Sequence, residues 1–232
     1  MKKISKLLLG ILLVGSMAGC DKEPSRKGSV VEAFKGLEDI TSATVDIDYN
    51  VDMKDFSMSM GIKMAFDEDE EMYVKMEMFG EETESYTAVV NGKTCEINYY
   101  DEDEMDTAGW YGECEEETAD EENDYDLSAF ESYTDEDFNY KDGWYILSDE
   151  KTQEIRESMS QSADDDFSFS IVDYTEVEDL KIKVRLANKE LDQIKMTFSV
   201  TDSGMKVNYE FIAKLSKING TKVNVPTFTE IE

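Results

Sequence analysis

Histidine is absent from all 232 residues of the chain. Because histidine is the commonest general acid or base and the commonest metal ligand, its absence removes the usual catalytic triads and most zinc sites. The sequence also has no CxxC pair and no glycine-rich phosphate loop. Carboxylates are so numerous that acidic pairs arise by chance and carry no catalytic signal. We therefore expect no enzymatic activity, no catalytic residue, no metal site and no cofactor.

Basic residues are scarce, with 23 Lys and Arg against 55 Asp and Glu and a net charge of −32. Nucleic acids and anionic membrane surfaces both attract proteins through basic patches. We therefore expect no nucleic-acid partner and no flat contact with an anionic membrane. A charge of this size indicates solubility on an exposed surface rather than a particular fold.

Long apolar runs are missing as well. The run from Leu7 to Val14 follows three lysines and is much shorter than the ~20 residues that span a bilayer. A basic start, a short apolar run and then small residues are typical of a secretory signal peptide. We expect residues 1–19 to be this signal peptide, and no other stretch to be apolar enough to cross a membrane.

Cysteine occurs only three times, and the first ends the motif Met17-Ala18-Gly19-Cys20. This motif resembles the lipobox of bacterial lipoproteins. The resemblance implies that Cys20 receives a diacylglyceryl group and becomes the first residue of the mature chain. Two acyl chains anchor a protein stably where one would be marginal. We expect a cell-membrane anchor on the extracytoplasmic side, with 20–28 as a polar tether; an ordinary secreted protein is the alternative.

Helical and strand periodicities alternate after the tether. Ser29 and Glu32 match a capping box before a helix over 30–39, and Ser148 can cap a second helix. Alternation of apolar and polar residues predicts half-buried strands at 43–53, 57–66, 72–80, 86–90, 94–100, 109–113, 167–171, 180–186, 194–200 and 207–215. Residues 144–147 are predicted to form a short apolar strand or a turn. The pair Asn91-Gly92 is a strong hairpin signal. The tail at 222–226 is expected to be extended, because the residue before a proline disfavours helix.

Six methionines fall at even positions within residues 57–80: Met58, Met60, Met64, Met72, Met76 and Met78. They lie on two predicted strands around an acidic break. Both rows can share one face only if the connecting loop has an odd number of residues, such as 67–71 or 68–70. Methionine is unbranched and adapts to varied shapes. This face either lines a cavity for an acyl chain or another apolar ligand, or it fills a packed core.

The other two cysteines fall on neighbouring predicted strands. If the loop 101–108 is symmetric, Cys95 lies opposite Cys114 and Tyr99 lies opposite Trp110. Export compartments permit disulfides, so we predict a cross-strand disulfide between Cys95 and Cys114, with two buried free thiols as the alternative. Two sulfurs without further ligands do not predict a metal site.

A one-faced sheet must cover its apolar side, and the predicted helices can do so. We therefore predict an α+β fold in a single domain over 29–232. Its large curved antiparallel sheet, an open or half β-barrel of about 9–10 strands, would wrap around two or three short helices. The acid-rich, poorly periodic stretch 113–142 is predicted to be an insertion.

The lipobox, the segment AFKGLEDITSATVDIDYNVDM, the long one-faced strands and the terminal KVNVP together resemble LolA/LppX-like lipoproteins. The resemblance covers most of the mature chain and rests on architecture, not on an invariant motif. It implies a half barrel closed by helices, and several members of that family carry lipids or lipid-linked molecules in the cavity. The insertion at 113–142 and the pair Cys95 and Cys114 depart from the family's pattern.

Two functions follow as expectations. The first is a monomeric, membrane-anchored lipoprotein that binds or carries a lipid or other hydrophobic ligand in a Met-rich cavity. The alternative is an accessory lipoprotein with a packed core and no small ligand. In that case Tyr99, Tyr100, Trp110 and Tyr111 would form a patch for a surface protein partner.

Overall fold

The structure is a computed structural model that describes residues 29–116, 133–161, 177–202 and 204–231. The expected signal peptide, Cys20 and the tether lie outside these residues. So does the strand predicted at 167–171, together with residues 117–132 of the predicted insertion.

Twelve strands in the described part of the chain form one open sheet in the order β12-β6-β5-β4-β3-β2-β1-β11-β10-β9-β8-β7. Every neighbouring pair is antiparallel except β12 and β6, which are parallel. The strands are β1 Ala43–Met53, β2 Phe56–Phe66, β3 Met72–Met78, β4 Glu81–Val90, β5 Lys93–Tyr100, β6 Gly109–Glu116, β7 Phe138–Lys141, β8 Trp144–Leu147, β9 Val177–Ala187, β10 Glu190–Asp202, β11 Met205–Ser216 and β12 Thr229–Ile231.

Two α-helices accompany the sheet in the same described residues: α1, Val30–Lys35, and α2, Asp149–Gln161. A 3-10 turn, Gly36–Asp39, continues α1, and another, Asp135–Asp137, precedes β7. The predicted cap of α1 is present, because the Ser29 hydroxyl accepts the Glu32 N–H at 3.1 Å. The Asp135 carboxylate also accepts the Val30 N–H at 2.8 Å, which ties the start of α1 to the turn before β7.

The predicted α+β class overestimated the share of helix, because the described architecture is mostly β. The predicted count of 9–10 strands is also too low. Strands β7 and β8 have four residues each and β12 has three. Alternation becomes readable only over about four to eight residues, so β7 and β12 showed no period in the sequence. Within the predicted insertion 113–142, β6 continues to Glu116 and β7 anchors Phe138, which is 1% exposed, in the main core.

The two faces of the sheet carry two separate cores. The main core joins Val30 and Phe34 of α1 to Ile47, Ile182 and Ile194 of the sheet; we call its side the core face. On the other side, which we call the opposite face, a smaller cluster contains Ala88, Cys95 and Ile97. Val225 and Phe228 of the C-terminal tail pack against this cluster. The tail, extended as predicted, is therefore a cover for the opposite face.

Two predicted turns are confirmed by the register. Phe66 pairs with Met72, which leaves a loop of five residues, 67–71, and an odd number as the methionine rows require. Val90 pairs with Lys93 around Asn91-Gly92, and both turn residues have positive φ, as a tight hairpin demands.

Asp67, in the loop between β2 and β3, fastens the tail. Its side chain is 5% exposed, and it accepts the Val223 N–H at 2.9 Å. The ammonium of Lys222 lies 3.3 Å from the Asp69 carboxylate in the same loop. Polar contacts with the β2–β3 loop thus hold the tail in addition to the apolar contacts of Val225 and Phe228.

Candidate ligand-binding face

The two methionine rows lie side by side on the core face. Met60 pairs with Met78, and Met64 pairs with Val74. Across the other edge of β2, Val51 pairs with Met58. Because directly paired residues point to the same side of a sheet, both rows continue the surface that carries the main core.

Burial falls steadily along these rows. Met64 is 5% exposed and belongs to the main core, as does Phe66. Met58, Met60 and Met72 are half-buried. Met76 and Met78 are exposed, at 37% and 39%. The six predicted site residues therefore divide: Met64 fills the core, whereas the others lie partly or largely open to solvent.

The exposed methionines belong to a larger apolar surface at one end of the sheet. Six of the nine exposed large hydrophobic residues in the described part of the chain lie there: Met53, Phe56, Met76, Met78, Phe79 and Met205. We call these six residues the apolar rim. Met53 pairs with Phe56 at the β1–β2 turn, and Asp52 pairs with Asn208 near the start of β11. The register thus places the β1–β2, β3–β4 and β10–β11 turns at the same end of the sheet.

Phe79 is an unusual residue for its position. Four two-residue turns in the described sheet begin with a residue at positive φ: Phe79, Asn91, Asp142 and Asn188. Asn and Asp tolerate this left-handed conformation, whereas for a bulky residue it costs about 1–3 kcal/mol. Phe79 is nevertheless 69% exposed, so burial does not offset this cost. An exposed aromatic side chain on a strained backbone position indicates that Phe79 has a role at the surface.

Sequence reasoning missed the rim because it lies in turns and strand ends. The predicted site included Met76 and Met78 but not Met53, Phe56, Phe79 or Met205. A phenylalanine directly before Gly80, between two alternating runs, was the local signal that could have identified Phe79.

The predicted pairing of Cys95 with Cys114 is present in the register of β5 and β6, as is that of Tyr99 with Trp110. The two sulfur atoms are 2.09 Å apart, at disulfide-bonding distance. Cys95 is fully buried in the smaller cluster beneath the tail. Its place in the fold is therefore structural, away from the methionine rows.

The four aromatic residues predicted to form one patch are divided between the two faces. Adjacent residues in a strand point to opposite sides. Tyr99 and Trp110 contact each other on the opposite face, with ring centroids 5.4 Å apart. Tyr100 and Tyr111 contact each other on the core face at 6.0 Å. A single surface of four rings is thus not formed.

Neither a candidate metal site nor a helix suited to cross a membrane occurs among the described residues. No group of three or more Cys, Asp or Glu side chains there is arranged to hold a metal ion. No helix in the same ranges combines the length and the apolar character needed to cross a bilayer.

Comparison with known proteins adds no relative. No protein-family model matches the chain, and no curated protein is similar to it in sequence. Function must therefore be inferred from the residues of this chain and their arrangement.

Proposed function

We propose that this chain is a non-enzymatic, lipid-anchored extracytoplasmic protein that binds a lipid or another apolar ligand on its methionine face. The observation that carries the proposal is the apolar rim. Methionines that continue the core surface emerge into solvent at one end of the sheet, with Met76 at 37% and Met78 at 39% exposure. Exposed apolar side chains concentrated at one end of a sheet are typical of ligand, membrane or protein contact sites.

Methionine suits an acyl chain as a binding partner. Its unbranched, polarizable side chain can repack around ligands of different shapes. Each acyl-chain methylene that leaves water contributes about 0.8 kcal/mol to binding. An acyl chain that lies along half-buried Met58 and Met60 toward Met78 would therefore bind more tightly the more of the row it covers. The buried residues Met64 and Phe66 would form the closed end of this binding surface.

The proposed anchor and the half-barrel form belong to the same proposal. The lipobox motif ending at Cys20 supports the anchor, and nine residues from 20 to 28 would reach at most ~30 Å from Ser29. An open sheet of twelve strands with Phe34 of α1 and Ile155 of α2 in one core supports a sheet curved around its helices. Large twisted sheets commonly curl in this way.

The alternative function is an accessory lipoprotein with a packed core and a protein partner. The burial of Met64 favours it, because at least one predicted ligand residue is a core residue. Under this alternative function, the exposed apolar rim would contact a protein partner and not a lipid.

Native mass spectrometry tests the proposal. The chain from Asp21 onward, which contains every residue that the structure describes, would be purified from a bacterial host without detergent. We expect an adduct of lipid mass that is lost on denaturation. Met76→Asp should abolish the adduct, whereas Val89→Asp, at an apolar site 47% exposed and outside the rim, should retain it. Matching circular dichroism spectra would show that both variants fold.

A bare mass for the unmodified chain would favour the alternative function, and so would an adduct that survives Met76→Asp. The anchor is tested separately in cells. Radiolabelled palmitate should be incorporated into the full chain, and Cys20→Ser should remove both the label and the sedimentation with membranes.

A further inference from the structure

The opposite face carries a row of aromatic rings that the proposed ligand site does not use. Tyr73, Tyr86, Trp110 and Tyr99 contact one another in turn, with ring centroids 5.0, 5.2 and 5.4 Å apart. Tyr99 is 50% exposed, and the other three are half-buried. The row therefore ends at an accessible ring beside Trp110.

The rings around Trp110 are steeply inclined to one another and do not form a flat stacking surface. The Trp110 plane is inclined by 83° to Tyr86 and by 72° to Tyr99. A sugar or a base stacks best on a flat aromatic surface. Aromatic faces set at steep angles are the arrangement that receives a cation, because each ring face carries negative electrostatic potential.

Carboxylates flank the rings on the same face. Glu77 lies directly opposite Glu82 across β3 and β4, a placement of like charges that is destabilising by itself. The Lys75 ammonium lies 2.6 Å from a Glu82 oxygen and 3.8 Å from a Glu84 oxygen. Three carboxylates therefore share one nearby ammonium. The Glu84 carboxylate also accepts the Tyr73 hydroxyl at 3.0 Å, which holds it beside the rings.

This excess of negative charge is local to the aromatic end of the face. Over β1, β2 and β9–β11, lysines on the opposite face are matched with carboxylates in the pairs Lys63–Asp46, Lys195–Glu210, Lys206–Asp179 and Lys214–Asp48. Beside the rings, the β5–β6 turn instead adds four exposed acidic residues at 101–104. The surface around Tyr99 thus favours a positively charged occupant.

We propose that this corner binds a basic segment of a partner protein. We define the aromatic–acidic corner as Tyr73, Tyr86, Tyr99 and Trp110 with Glu77, Glu82 and Glu84. An arginine fits it best, since the planar guanidinium stacks on aromatic rings and also bonds carboxylates. The chain itself makes such a contact elsewhere, where the Arg185 guanidinium carbon lies 5.3 Å from the centre of the Trp144 ring.

Binding of a fluorescent oligo-arginine peptide to the full chain, followed by anisotropy at near-physiological salt, tests the role of the rings. Tyr99→Leu keeps an apolar side chain but removes the π face, and it should weaken binding about tenfold. Tyr99→Phe keeps that face and should bind like the unmodified chain. Tyr140→Leu, at a ring 36% exposed on β7, is the matched control and should leave binding unchanged.

A second pair of variants separates the corner from the general negative charge. Glu77→Gln with Glu82→Gln removes two charges at the corner, and Asp52→Asn with Asp55→Asn removes two exposed charges at the β1–β2 turn. The first pair should weaken binding several-fold more than the second. Equal losses for the two pairs, or unchanged binding after Tyr99→Leu, would overturn the proposal. Binding of choline without binding of the peptide would overturn the assignment of a protein partner.

Discussion

Replacing Gly112 with alanine tests how the C-terminal tail is held on the opposite face. A Cβ atom built on Gly112 would lie 2.5 Å from Phe228 Cε2 and 3.3 Å from Ile97 Cγ1. The first distance is too short for two carbons in contact, so one group must move. Ile97 is fully buried in the sheet, whereas Phe228 is half-buried on the tail. We therefore expect the added methyl group to displace the Phe228 ring and not the strand.

The size of the effect follows from what the ring loses. Fully burying a phenylalanine side chain contributes about 1.5–3 kcal/mol, and a half-buried ring should contribute about half of that. Glycine in a strand is itself less favourable than alanine by about 0.5–1 kcal/mol, which partly offsets the loss. We expect Gly112→Ala to lower the free energy of unfolding by about 0.5 kcal/mol. Without the clash, the same substitution should stabilise the protein.

Urea denaturation followed by circular dichroism measures this change in a double-mutant cycle. Once Phe228→Ala has removed the ring, Gly112→Ala should no longer destabilise the protein, so the two substitutions should be strongly non-additive. Gly109→Ala, on the same strand, is the control, because the nearest atom to its Cβ would be 4.0 Å away. If Gly112→Ala does not destabilise the protein and its effect simply adds to that of Phe228→Ala, the contact between Phe228 and Gly112 does not hold the tail on the sheet.

Three further predictions concern the turn, the cysteines and an acidic loop. Phe79→Asn should raise the free energy of unfolding by about 1 kcal/mol, because it relieves the left-handed strain, and should weaken the lipid adduct in native mass spectrometry; a less stable variant would contradict this account of the turn. Cys95→Ala with Cys114→Ala should lower the free energy of unfolding by about 3 kcal/mol, as expected for opening a loop whose ends are 19 residues apart, and urea midpoints that do not respond to reductant would argue against the bond. Burial, followed by the charge of Asp67, raises the pKa of Glu71 above its ordinary value of 4.5. The stabilising contribution of the protonated Glu71 carboxyl is therefore present below the ordinary pKa and is lost as the pH rises through the raised pKa. Glu71→Gln should therefore be more stable than the unmodified chain at neutral pH, with no difference in acid; a constant difference in urea midpoint at both pH values would contradict this.

Local pattern was enough to predict much of the sheet. Alternation over β1 and the odd-length loop at 67–71 follow from the two-residue period of a strand, because a slip of one residue would turn a methionine row away from the core. The turn Asn91-Gly92 and the pairing of Cys95 with Cys114 follow from turn chemistry and from symmetric counting across a loop. Each of these predictions needed only residues close together in the chain.

The sequence by itself determined which positions alternate, where several hairpins turn and that the chain is strongly acidic. Only the tertiary structure decided which side of each strand meets the helices, because alternation defines two faces without saying what packs on either. It buried Met64 and left Met76 open. It also brought the tail from Val223 to the opposite face, since contacts between residues more than a hundred positions apart leave no local period to read.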